Sequence, residues 1–144
     1  MTDPQEVRRR NSATLHRYFE LLAALDIDAW SRLWAPECVQ EMPFATGAIP
    51  RRVEGRDQVR EFYAGMARDY RELSFADLEI TELADPDRLL ARWKPRGVMT
   101  DGSTYTNENV ALFVFGADGL ISGFDEYFDP VRAQQKFPAE GPVR

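Results

Sequence analysis

At 144 residues, with 44% hydrophobic and 12% aromatic residues, the chain suits one folded domain with a substantial core, which excludes a largely disordered protein. Eighteen basic against 24 acidic residues give a net charge of −6 without a long basic run, which argues against binding along a phosphate backbone. A single cysteine, Cys38, excludes an internal disulfide and a multi-cysteine metal site, and the single histidine, His16, excludes a two-histidine metal centre. No metal or cofactor is therefore expected. The stretch Met1–Glu6 lacks the apolar core of a signal peptide, and no apolar run reaches membrane-spanning length, so a cytoplasmic location is the expectation.

Apolar residues at Val7, Leu15, Tyr18, Phe19, Leu22 and Leu25 predict a first helix from about Gln5 to Leu25, with Arg8-Arg9-Arg10 on its solvated face. His16 is read as a surface residue of this helix. Asp26 can cap a second helix, whose Trp30, Leu33 and Trp34 make an apolar stripe before Pro36. Cys38 reads as a small buried hydrophobe. A short strand is predicted over Val39–Met42, followed by a loop from Pro43 to Arg52 and a third helix over about Asp57–Arg68. From there the pattern turns to strands, at about Ser74–Leu83, Leu89–Val98, Thr104–Phe115 and Leu120–Phe128. Their connections carry turn chemistry at Asp85-Pro86-Asp87, Asp101-Gly102 and Asp118-Gly119. Three helices followed by an antiparallel meander predict an α+β domain over residues 1–137, its helices packed on one face of a strongly curved sheet. Such a sheet closes into a cone with an internal pocket. Residues 138–144 read as a flexible tail, with Asp129-Pro130 as a strand stop.

The most informative segment is the last hairpin. Period-two alternation places Leu120, Ser122, Phe124, Glu126 and Phe128 on one strand face, so Glu126 has a phenylalanine on each side. A carboxylate there is either a rim residue or a buried acid with a raised pKa, and the buried acid is the functional reading. On the neighbouring strand, Asn107, Asn109, Ala111 and Phe113 share a face; an asparagine there bonds a ligand, a buried carboxyl or a nearby loop.

Several motifs together resemble the nuclear transport factor 2-like superfamily: Arg17-Tyr18, the Asp26–Trp34 helix leading into Ala35-Pro36-Glu37, Gly55-Arg56-Asp57, Arg60–Ala64 and the final hairpin. That group includes ketosteroid isomerases, limonene epoxide hydrolase, SnoaL-like polyketide cyclases and phenazine-biosynthesis A/B proteins. The resemblance implies the cone fold, a small-molecule ligand and a homodimer. Ketosteroid isomerases match at Tyr18, but their strand carboxylate base falls on Met42, with Glu41 on the opposite face, and their second acid falls on Ala111. Limonene epoxide hydrolase matches at Glu126 and Arg92, while its second aspartate falls on Lys94. The phenazine A/B proteins are the nearest resemblance, through Thr46-Gly47-Ala48, Tyr105, Glu108-Asn109, the Asp118-Gly119 turn and Glu126; their helix-three histidine is replaced by Phe62.

These readings converge on a cofactor-free enzyme of secondary metabolism, an isomerase, cyclase or dehydratase acting on a mainly apolar, ring-containing substrate. Its rival is a binding or assembly module of the same fold without turnover. Glu126 is the expected acid/base, with Tyr18 or Asn109 holding the developing oxygen charge. Tyr18 has a second reading as a core tyrosine. Met42, Phe62, Met66, Ala111, Phe124 and Phe128 are the expected pocket lining, with Trp34 or Trp93 close enough to sense a ligand. Arg92 either binds a substrate carboxylate or is an exposed strand arginine. A homodimer is expected through an outward apolar face of Val110, Leu112, Val114, Ile121 and Tyr127, with no nucleic-acid or membrane partner.

Overall fold

The computed structural model describes residues 2–138. Helix α1 (Pro4–Ala23) begins at Asp3, whose side chain accepts from the Gln5 amide, with Pro4 at the first helical position. It buries the predicted stripe of Leu15, Tyr18, Phe19 and Leu22. The short α2 (Ile27–Ser31) is capped by Asp26. Strand β1 (Trp34–Glu41) follows at once, so the expected short strand starts five residues earlier than its alternation suggested. Trp34 belongs to this strand rather than to the helix, and Pro36 lies within it. A register break between Trp34 and Val39 lets β1 carry a proline while pairing with its neighbour.

After β2 (Arg52–Glu54), helix α3 (Arg56–Ala67) packs Val59 and Tyr63 inward. The remaining strands are β3 (Tyr70–Glu82), β4 (Arg88–Met99), β5 (Thr104–Thr106), β6 (Asn109–Phe115) and β7 (Ile121–Tyr127). They form one sheet in the order β2-β1-β7-β6-β4-β3, with β5 also paired to β4 and only β1–β7 parallel. The sheet is curved and unclosed, the helices lie on its concave side, and the expected α+β cone is what the chain forms. The sheet bends at bulges: Asp77 adopts φ 54° where the β3–β4 register slips between Ala76 and Glu79.

Four corrections follow from tertiary contacts. The helices number four among the described residues, because Asp129 does more than stop a strand. Its side chain accepts from the Val131 and Arg132 amides and starts α4 (Pro130–Lys136), with Pro130 at the first position. The predicted strand Thr104–Phe115 is cut at Asn107, which leaves the sheet and clips the chain to Asp129. Asn107 Oδ1 accepts from the Glu108 and Asp129 amides, and its Nδ2 donates to the Asp129 carbonyl. In the arginine triplet, Arg8 donates to the Leu83 and Ala84 carbonyls and Arg10 to those of Gly116 and Ala117, tying α1 to two hairpin turns. Finally, Ile121 is fully buried, because the β6–β7 register slips between Val114 and Phe115 and turns it inward. Of the predicted tail, Pro138 alone lies within the described residues.

Tyr70, at the start of β3, lays its ring over Gly97 of β4. A β-carbon on Gly97 would sit 2.6 Å from Tyr70 Cδ1, closer than van der Waals contact allows. Gly97→Ala is expected to cost about 1–3 kcal/mol and lower Tm by several degrees. A thermal melt indistinguishable from wild type would mean that the ring moves away without cost.

Candidate active site in the cone

The strands and helices line an apolar cavity of about 90 Å³ that is open to one side. Glu126 reaches it from β7. Its neighbours Phe124 and Phe128 share its face, and it pairs across the ladder with Ala111, whose short side chain leaves the carboxyl space. Glu126 is 8% exposed, and among the described residues no arginine, lysine or histidine lines the cavity. Its one hydrogen bond is from Asn109 Nδ2 to Oε2 at 3.1 Å. Loss of water dominates over that bond, and the carboxyl is pushed up to about 7. Asn109 therefore has the ligand-cavity role in its geometry, while Asn107 satisfies the loop instead.

Four phenols complete the polar lining: Tyr18 from α1, Tyr63 from α3, Tyr70 from β3 and Tyr105 from β5. Burial, aided in each case by the nearby Glu126 charge, raises all four above the usual tyrosine range, Tyr105 to about 12. They stay protonated throughout the physiological range. Tyr63 Oη accepts from Gln40 Nε2 at 2.7 Å, which leaves the Tyr63 hydrogen for Tyr18 or for a ligand. Gln40 is completely buried. It was legible in principle: β1 alternates, so Gln40 shares the inward face of Met42. Tyr63 was visible only as part of the α3 apolar stripe, and neither residue carries a local signal of function.

Of the residues proposed from sequence, Tyr18, Met42, Phe62, Met66, Asn109, Glu126 and Phe128 meet at the cavity, with Trp93 beside them. Three do not. Ala111 is fully buried behind Glu126, held there by its ladder position. Phe124 packs in the aromatic core against Phe113 at 4.5 Å and Trp34 at 5.6 Å, so neither it nor Trp34 reaches the cavity. Arg92 lies on the outer sheet face, 3.7 Å from Glu79, since β4 alternation points Ala91 and Trp93 inward. Cys38 is buried and His16 exposed, as expected. Glu41 pairs with Arg52 at the β1–β2 edge, away from the cavity. Among the described residues, no group of three His, Cys, Asp or Glu converges on a possible metal position, and no helix is long and apolar enough to cross a membrane.

The profile of the SnoaL-like domain matches residues 15–124, most of the chain. The chain belongs to this family. It is 23% identical over 125 residues to the uncharacterized protein YesE of Bacillus subtilis, covering 86% of this chain and 84% of that one. It is 27% identical over 112 residues to the uncharacterized PhzA/B-like protein PA3332 of Pseudomonas aeruginosa, covering 78% and 79%. The crystal structure of a phenazine biosynthesis-related protein, phzb2, from Pseudomonas aeruginosa superposes with a TM-score of 0.78 at 17% identity, covering 99% of this chain and 94% of that one. The shared fold is the nuclear transport factor 2-like cone, as the sequence resemblance implied.

The raised pKa of Glu126 makes stability depend on pH with a definite sign. Between its ordinary value of 4.5 and about 7, the folded chain keeps a proton that the unfolded chain releases. Stability contributed at this site therefore falls as pH rises through that window, by on the order of 3 kcal/mol once complete. Glu126→Gln removes this slope: its Tm should equal or exceed that of wild type at pH 8, with the difference shrinking toward pH 5. Parallel stability profiles for the two proteins between pH 5 and pH 8 would contradict a desolvated Glu126.

Proposed function

We propose that the chain is a general acid/base enzyme acting on a ring-containing carbonyl or enol compound, in an isomerisation, cyclisation or dehydration of secondary metabolism. The observation that carries this reading is Glu126. It is a buried carboxyl facing an apolar cavity, with a pKa of about 7. A group half-ionised near neutral pH can take a proton from carbon and return it elsewhere with little driving-force penalty. Asn109 holds Oε2, leaving Oε1 for the substrate proton. The phenols of Tyr18 and Tyr63 are donors for the oxygen on which charge develops, and Gln40 orients Tyr63. Kinship with phenazine biosynthesis-related and PhzA/B-like proteins supports a place in secondary metabolism. The competing reading is binding without turnover, since Glu126 has no second carboxyl or histidine beside it among the described residues of the cavity.

A flat ring ketone separates the two. In deuterated buffer, 2-tetralone should exchange its α-hydrogens faster with the protein than without it, as followed by proton magnetic resonance. Glu126→Gln should lower the catalysed exchange by about a hundredfold or more while retaining ligand binding. Tyr63→Phe should lower it by about tenfold or more through loss of an oxyanion donor. Exchange unaffected by Glu126→Gln would end the case for this residue as the base.

We also propose a homodimer. Val110, Leu112 and Val114 are incompletely buried on the outer sheet face, and Tyr127 meets Phe44 edge to face at 5.2 Å, with Phe44 57% exposed. Light scattering should return twice the monomer mass at micromolar concentration. The monomer mass across that range would refute the pairing.

A further inference from the structure

We propose that this cavity selects uncharged ring compounds bearing a hydrogen-bond-accepting oxygen, and rejects the corresponding carboxylates. The inference rests on reading the cavity as the substrate site, and it adds the charge class of the substrate. An anion entering a desolvated pocket requires a counter-ion or a dense set of donors. Among the described residues, the cavity offers no cation at all.

The absence follows from how nearby basic residues are held. Lys94 stands between two lining residues, Trp93 and Pro95, yet strand alternation carries it to the outer face, where Asp77 lies at 3.2 Å and Glu108 at 3.9 Å. Arg92, on the other side of Trp93, faces Glu79 on that same outer surface. Lys136 precedes the lining residue Phe137 but donates to Ser103 Oγ at 2.7 Å. Arg71 follows Tyr70 and donates to the Thr100 carbonyl at 3.2 Å. Among the described residues the one carboxyl lining the cavity, Glu126, repels an anion further, and the net charge of −6 gives the same sign at long range. The available donors are neutral: the phenols of Tyr18, Tyr63, Tyr70 and Tyr105 and the amide of Asn109. Neutral donors on an apolar wall match a ketone, ester or enol oxygen. Such an oxygen also acquires negative charge only during reaction, beside donors already in place.

The test uses two ligands of one shape and different charge at pH 8: 2-acetonaphthone and 2-naphthoate. Binding is read from Trp93 fluorescence and from the rise in Tm. The ketone should bind at least about tenfold more tightly than the carboxylate. Met66→Lys adds a cation to the α3 wall of the cavity, and it should raise 2-naphthoate affinity by about tenfold relative to the ketone. Equal or tighter binding of 2-naphthoate to the wild-type protein would overturn the inference, as would no binding of the ketone. The exchange assay with Glu126→Gln is independent of this ranking. If the ranking fails while that variant still loses exchange, the charge class is wrong and the acid/base reading stands.

Discussion

A carboxyl group taken out of water without a counter-ion is the constraint on which this site is built. Glu126 lies among aromatic and aliphatic side chains with one amide donor, and desolvation outweighs that donor. Ion pairing would have reversed the sign: a lysine or arginine in the cavity would hold the group ionised and leave a poor acid and a weak base at neutral pH. The arrangement therefore costs stability at high pH and supplies a titrating group in the useful range.

The sheet supplies the position of that group through irregularities rather than through regular strands. The β6–β7 register sets Glu126 opposite Ala111, where a larger residue would fill the space the carboxyl uses. Asn107 breaks the strand before β6 and pins it to Asp129, so β6 begins at Asn109 and its amide meets Glu126. The same Asp129 starts α4, which brings Phe137 over the cavity wall against Tyr105. A short polar clip thus links the end of the β6–β7 hairpin to the part of the chain that lines the pocket.

Aromatic packing separates the site from the core behind it. Tyr18 contacts Phe19, Trp30, Phe113 and Phe124 with its ring, which holds the phenol in one place. Tyr63 packs on Trp30 at 4.3 Å and takes its orientation from Gln40. Two donors on different helices are thereby set against a rigid layer, as transition-state stabilisation by fixed dipoles requires. The fold is shared with relatives of different names, so the chemistry has to be argued from these side chains rather than from the cone.

Much of this was legible in the chain itself. The helical stripe of α1, the Asp118-Gly119 turn and the alternation around Glu126 follow from local periodicity, and local periodicity survives folding. Motif resemblance added the cone. Register slips defeated the same reasoning elsewhere: a single bulge turned Ile121 from the outer face to the core, and Asn107 left a strand that looked continuous. Pairing across the fold also placed Phe124 and Ala111 behind the cavity wall rather than in it. Gln40 and Tyr63 acquired their roles only through contact between β1 and α3, residues 23 positions apart in sequence. Local pattern is enough for the α1 stripe, the tight turns and the alternation along unbroken strands. Tertiary structure alone decided which side chains lose water together, because desolvation depends on every element that closes over a group, and no local pattern records that closure.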